Sequence, residues 1–172
     1  TEATATLDLI RAAREFMADS TNFHLNGQVF VTGYSQGGHA AMAAIKYIEE
    51  NNLHTEFNVV AAAPMSGPYS LSTVQPRTVY DSTYNYNAFT PYVINSYQYV
   101  YGNLYTDVNQ YYDSPYNVNI PPYLNGSYSF SALNSFLPGN VYNFMNDSLL
   151  NEFMADTVNF SSPLRHALKL ND

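Results

Sequence analysis

The sequence predicts an α/β fold in two parts. A parallel strand–turn–helix–strand unit occupies residues 1–72, and a mainly helical, tyrosine-rich region follows over residues 73–172. Three observations predict it. Two short apolar runs, Gln28–Thr32 and Asn58–Ala63, flank an alanine-rich stretch of helical spacing. The bend between the first run and that helix holds a serine among glycines, in Val-Phe-Val-Thr-Gly-Tyr-Ser-Gln-Gly-Gly-His. After about Ser72 the composition changes, and most of the 17 tyrosines fall there among Asn, Ser and Pro.

The elements follow in chain order. Leu7, Ile10, Ala13 and Met17 recur at helical spacing, so Thr4–Asp19 is an amphipathic helix. Gln28–Thr32 is apolar, rich in strand formers and too short for a helix. Gly38–Asn51 is a helix, entered near Gln36, whose Ala40, Ala41, Ala44, Ile45 and Ile48 form a face of small and branched residues suited to lying close on a sheet. Asn58–Ala63 is the second strand, stopped by Pro64 and the Gly67–Pro68 pair. Strand, helix and strand in that order imply a right-handed parallel crossover. In the second region short helices are expected near Pro91–Tyr101, Ser129–Leu137 and Ser148–Asp156, within otherwise irregular chain. A last helical turn starts at Ser162–Pro163, where Ser can cap and Pro fits the first helical position. Interleaved Val, Ile, Leu and Phe can bury area, which favours an ordered module over a low-complexity tail.

Composition excludes several function classes. The 172 residues are 46% hydrophobic, enough for a core, and hold no apolar run of membrane-spanning length. Neither a basic n-region nor an apolar h-region opens the sequence. The net charge of −8, with six Lys and Arg, argues against binding a nucleic-acid backbone. The absence of cysteine removes disulfides, thiol catalysis and thiolate metal sites. His24, His39, His54 and His166 are scattered, with no His-x-x-x-His pair, so neither a metal nor a cofactor is expected.

Gly33-Tyr34-Ser35-Gln36-Gly37 fits the Gly-x-Ser-x-Gly pattern, with a strand before it and a helix after it. Ser35 has two readings. It is the N-cap of its helix in a glycine-rich turn, or a nucleophile held on a strained bend, and the strand context favours the nucleophile. In that reading Gly33 and Gly37 make room by lacking Cβ atoms, and Gly38 lets the helix sit tightly on the sheet. The hydroxyl stands at the strand's carboxyl end, and the amide N–H of Gln36 points where a tetrahedral oxyanion forms.

These residues resemble the α/β-hydrolase fold, and within it the secreted lipase and esterase branch that carries a helical cap after the second strand seen here. GYSQGGHAA, the VVAAAPMSGPYSL segment, the Tyr- and Pro-rich insert and the closing Ser-Pro-Leu-Arg-x-Ala-Leu helix (Ser162–Leu168) carry the likeness. The resemblance implies a carboxylic ester hydrolase acting through an acyl-enzyme at Ser35. It further implies a small-molecule ester or lipid substrate and a secreted, periplasmic or cell-surface location. It implies that more strands precede the elbow, one of whose loops supplies the second oxyanion N–H, and that an acid and a histidine follow later strands. The chain is therefore expected to be an internal fragment carrying the nucleophile and the cap but not the base, and to be inactive by itself.

Within the chain, His39 lies one helical turn after Ser35 and is expected to be a hydrogen-bonded histidine at the helix–sheet junction. His166 follows Ser35 in the right order, but no strand or acid precedes it. His24 and His54 sit at the amino ends of the strands, the wrong edge for the chemistry. The segment after the second strand holds no carboxylate before Asp81. The cap tyrosines serve packing or line an acyl or sugar-ester site. Asn125, Asn146 and Asn159 open glycosylation sequons. Two other functions fit the sequence: a serine peptidase of the oligopeptidase type, and a non-catalytic carbohydrate- or protein-binding remnant.

Overall fold

A computed structural model describes residues 2–80 and 84–172 of the chain. They form two compact units, Thr1–Tyr69 and Ser70–Asp172. Asp81, the first carboxylate after the second strand, lies outside the described residues. No helix among the described residues is long and apolar enough to cross a membrane.

The first unit runs α1 (Glu2–Ala18), β1 (Val29–Tyr34), α2 (Gln36–Glu50), α3 (His54–Phe57) and β2 (Val59–Met65). The strands pair in parallel, Val31 with Ala62 and Gly33 with Pro64, with an irregularity between Val29 and Phe30. The predicted order is correct and its boundaries need correction. Helix α1 begins at Glu2, before Thr4. Strand β1 runs on through Gly33 and Tyr34 into the bend itself. Pro64 does not stop β2. It pairs in register with Gly33, next to the last pair of the strand, Tyr34 with Met65.

Leu7, Ala44, Ile48 and Phe57 form the core of this unit. The buried stripe of α1 is Ala3 and Leu7 with Ile10 beside them, while Ala13 is exposed. Polar contacts replace apolar ones along the second half of α1. The Arg11 guanidinium donates to Glu56 from Nε at 2.6 Å and from Nη2 at 3.0 Å, and Arg14 donates to the Glu56 carbonyl at 2.6 Å. Both guanidinium groups lie over the Phe57 ring, at 5.0 and 5.6 Å from its centroid.

The second unit is mainly helical: α4 (Val74–Tyr80), α5 (Phe89–Tyr101), α6 (Tyr116–Asn119), α7 (Phe130–Phe136), α8 (Asp147–Ala155) and α9 (Pro163–Lys169). Among the described residues 3₁₀ turns join them at Val108–Gln110, Pro121–Leu124 and Val141–Asn143. Among the described residues none of this unit joins the β1–β2 sheet, and one antiparallel bridge, Tyr112 to Met145, lies within it. Three of the predicted helices lie within a residue or two of their expected bounds. Helices α4 and α6 were not among those expected. Pro76 is the third residue of α4, where its missing N–H has no intrahelical acceptor to lose.

The Asn, Ser and Asp texture is used to start helices. Asn146 accepts from the amides of Ser148 and Leu149, Ser129 accepts from Ala132, and Asp107 with Gln110 forms a reciprocal capping box. Asn146 also donates to Asp113 at 3.1 Å, so both ends of that sequon's amide are engaged. Ile120, Leu133, Val141, Phe144 and Met145 are fully buried, with Tyr111 and Tyr112 among them. Burial pushes the phenols of Tyr80, Tyr111 and Tyr112 up from their ordinary value. Tyr99, at 91% exposure, shows that other tyrosines are surface residues.

Arg165 of α9 is the buried cation of this core. Its Nε and Nη2 donate to the Phe153 carbonyl at 3.0 and 2.6 Å, its Nη1 donates to the Ser72 carbonyl, and its guanidinium stacks 3.9 Å from the Phe153 ring centroid. Burial pushes it down from the ordinary guanidinium value, against the pull of Asp156. Arg165→Met keeps the apolar stem and leaves two carbonyls without donors, each worth about 1–3 kcal/mol. The variant is expected to unfold at lower urea, with a loss of about 3 kcal/mol measured by far-UV circular dichroism.

Ser162 does not cap α9 with its side chain, contrary to expectation. Its hydroxyl is buried without a partner, and its amide instead donates to Asp156 at 2.8 Å. That hydrogen bond, with others from Ser161 and Phe160 and the charge of Arg165, outweighs burial and holds the Asp156 carboxyl below its ordinary value. Burial also opposes ionisation of Asp172, but the Ser72 hydroxyl and amide, at 2.6 and 2.8 Å, together with Lys169 hold it low. A carboxyl lowered by folding adds stability that is present above its unfolded value and lost as pH falls through the folded one. The urea midpoint reported by tyrosine fluorescence should therefore drop between about pH 5 and pH 2, and less steeply in Asp156→Asn.

Candidate active site

Ser35 stands alone between β1 and α2, with φ 57° and ψ −121°. A left-handed φ on a non-glycine residue is strained, and such strain persists only where the surroundings impose it. Here two backbone bonds impose it. The Ser35 amide donates to the Met65 carbonyl at the end of β2 (3.0 Å), and the Ser35 carbonyl accepts from His39 on the first turn of α2 (3.1 Å). The side chain makes no capping hydrogen bond, and the residue is exposed. The N-cap reading of Ser35 thus gives the position of the residue but leaves its hydroxyl unexplained.

Gly33 and Gly38 allow close packing as expected, and Gly37 does not. A Cβ on Gly33 would lie 2.0 Å from the Gly37 carbonyl oxygen, so strand and helix can approach this closely only with glycine there. A Cβ on Gly37 itself would meet nothing within 4 Å, so Gly37 makes no room by lacking one. Gly38 is the second required glycine: its Cβ would fall 2.4 Å from the Met65 carbonyl oxygen, where α2 crosses the end of β2. Gly67 closes the same junction, since a Cβ there would sit 2.6 Å from the His39 amide nitrogen.

Gln36 is the first residue of α2 and is exposed. Its amide N–H belongs to the first turn, where a helix offers no acceptor. His39 is at the helix–sheet junction, partly buried, with Nδ1 at 3.1 Å from Glu2 Oε2. A backbone hydrogen bond joins His39 to Ser35, from the amide of the first to the carbonyl of the second. His24 is exposed in the connection before β1, and His54 opens α3 beside Glu49 (3.4 Å) ahead of β2. His166 is an exposed residue of α9 in the second unit.

Sequence reasoning missed Glu2. Its Oε1 accepts from the Gln36 side-chain amide at 2.6 Å while Oε2 faces His39, so one carboxylate spans the first turn of α2. Nothing in the residue pattern brings positions 2, 36 and 39 together. The contact requires α1 to pack along α2, which the shared core of Leu7, Ala44 and Ile48 produces.

No protein-family model matches the chain, and no curated protein does. Solved structures do. The rice cell wall degrading esterase LipA from Xanthomonas oryzae is 34% identical, with a TM-score of 0.83 over 99% of this chain and 45% of that one. Its ligand-bound form gives 33% identity and a TM-score of 0.82 over the same shares. A candidate hydrolase from Legionella pneumophila, at 20% identity, matches with a TM-score of 0.84 over 99% of this chain and 44% of that one, and shows the fold alone. The chain thus spans less than half the length of the structures it matches. The bend from β1 into α2, the parallel pairing of β1 with β2 and the helical insert make these 172 residues part of an α/β-hydrolase fold.

Proposed function

We propose that the chain belongs to a serine-dependent carboxylic ester hydrolase, with Ser35 as nucleophile and residues 73–172 as its cap. The observation that carries the reading is the backbone of Ser35, strained between a parallel strand and a helix with its hydroxyl exposed and not spent on capping. The likeness to an esterase at 34% identity favours ester over peptide substrates. In this reading Ser35 Oγ attacks the ester carbonyl carbon and its proton passes to a histidine outside the chain, oriented by an acid also outside it. The oxyanion takes the Gln36 N–H and one further donor, the alcohol leaves with the proton, and water then releases the acid from the acyl-enzyme. Phe30 and Val60, exposed apolar residues of β1 and β2, suit a sheet that continues in a longer polypeptide.

Hydrolysis of p-nitrophenyl esters tests the proposal. The full-length protein should turn over, and its His39→Ala variant should keep most of that activity, because the His39 imidazole turns its Nδ1 to Glu2. Residues 1–172 alone should show at most trace turnover, since a missing oxyanion donor alone costs about 2.7–4 kcal/mol. Robust turnover by the 172 residues, abolished on replacing His39, would contradict the assignment of the base to other segments.

A further inference from the structure

We infer that Glu2 is a positioning residue for the nucleophile turn, an inference that rests on Ser35 as nucleophile. The strained Ser35 is fixed from the sheet side by the Met65 carbonyl. On the exposed side, Gln36 carries a long side chain with many rotamers directly after it, and ordering that side chain costs free energy unless it has a partner. Glu2 is that partner. Its two oxygens hold Gln36 Nε2 at 2.6 Å and His39 Nδ1 at 3.1 Å, three residues apart on one face of the first turn of α2.

The anchor itself is held. Helix α1 is fixed by Leu7 in the core and by Arg11 and Arg14 on Glu56, so Glu2 presents its carboxylate from a supported rod. A negative charge at the start of α2 also interacts favourably with the helix dipole, which steadies the turn that carries the Gln36 N–H. The same charge near a developing oxyanion works against it. Positioning and repulsion therefore make opposite predictions for removal of Glu2, and the two are separable by experiment.

The test uses the full-length protein with Glu2→Ala and Glu2→Gln. It measures kcat and KM on p-nitrophenyl esters, the rate at which a fluorophosphonate labels Ser35, and the urea midpoint. Glu2→Ala should lower kcat and the labelling rate by about tenfold, with KM within about twofold and the folded fraction unchanged, as expected when reacting groups lose alignment. Glu2→Gln keeps an acceptor for Gln36 and should stay near the wild-type rates. Unchanged or faster labelling in Glu2→Ala would overturn the inference, as would losses in both variants that only track a fall in folded protein. A wild-type protein that is not labelled at Ser35 would overturn the nucleophile assignment and this inference with it; a labelled wild type with an unaffected Glu2→Ala overturns this inference alone.

Discussion

Ser35→Ala in the full-length protein is expected to lower ester turnover by at least about 10⁴-fold while leaving the fold intact. The size follows from the way a nucleophile, base and acid act as a unit: without the attacking oxygen the remaining members have no proton to move. The fold is expected to survive because the hydroxyl is exposed and makes no capping bond. Ser35→Gly is the more informative partner. At φ 57° a Cβ is strained, and strain of this kind costs on the order of 1–3 kcal/mol. The glycine variant should therefore be inactive and yet more stable than the wild type by about 1 kcal/mol in urea unfolding, whereas Ser35→Ala should be close to neutral. A residue retained in a conformation that glycine would relieve is what a functional constraint on the side chain produces.

The second large effect concerns packing. Gly33→Ala should destabilise the first unit by more than about 4 kcal/mol, because the added Cβ would fall 2.0 Å from the Gly37 carbonyl oxygen, a backbone atom that cannot rotate away. Gly37→Ala should do the reverse. Its Cβ meets nothing within 4 Å, and replacing glycine near the start of α2 with a better helix former should add about 0.5 kcal/mol. Two glycines of one five-residue pattern are thus expected to respond with opposite signs, which urea midpoints of the two variants will show directly.

That contrast marks how far the sequence could be read. The strand–bend–helix–strand order was legible because Val29 to Thr32 and Val59 to Ala63 are short apolar runs beside an alanine-rich helical repeat. The need for glycine at Gly33 and Gly38 was legible from the strand-to-helix bend, but that Gly37 needs no such room was not, because the space around it is set by how α2 leaves the bend. Gly33 and Tyr34 read as turn residues yet pair with Pro64 and Met65, since tertiary pairing overrides local turn preference at the end of a strand. Glu2 was invisible for the same reason, its partners lying on another helix. In the second unit the expected helices lie where Val, Ile, Leu and Phe recur, and the structure adds the caps Ser129 and Asn146 that start two of them. Helix α4 is only seven residues long and holds Pro76 in its first turn, too short a stretch for helical periodicity to show.

The assignment of Ser35 as nucleophile is tested most directly by treating the full-length protein with a fluorophosphonate and mapping the adduct by peptide mass spectrometry. The account predicts one adduct, on Ser35, lost in Ser35→Ala together with ester turnover. An adduct on a different serine, or active protein with Ser35 unmodified, would contradict it.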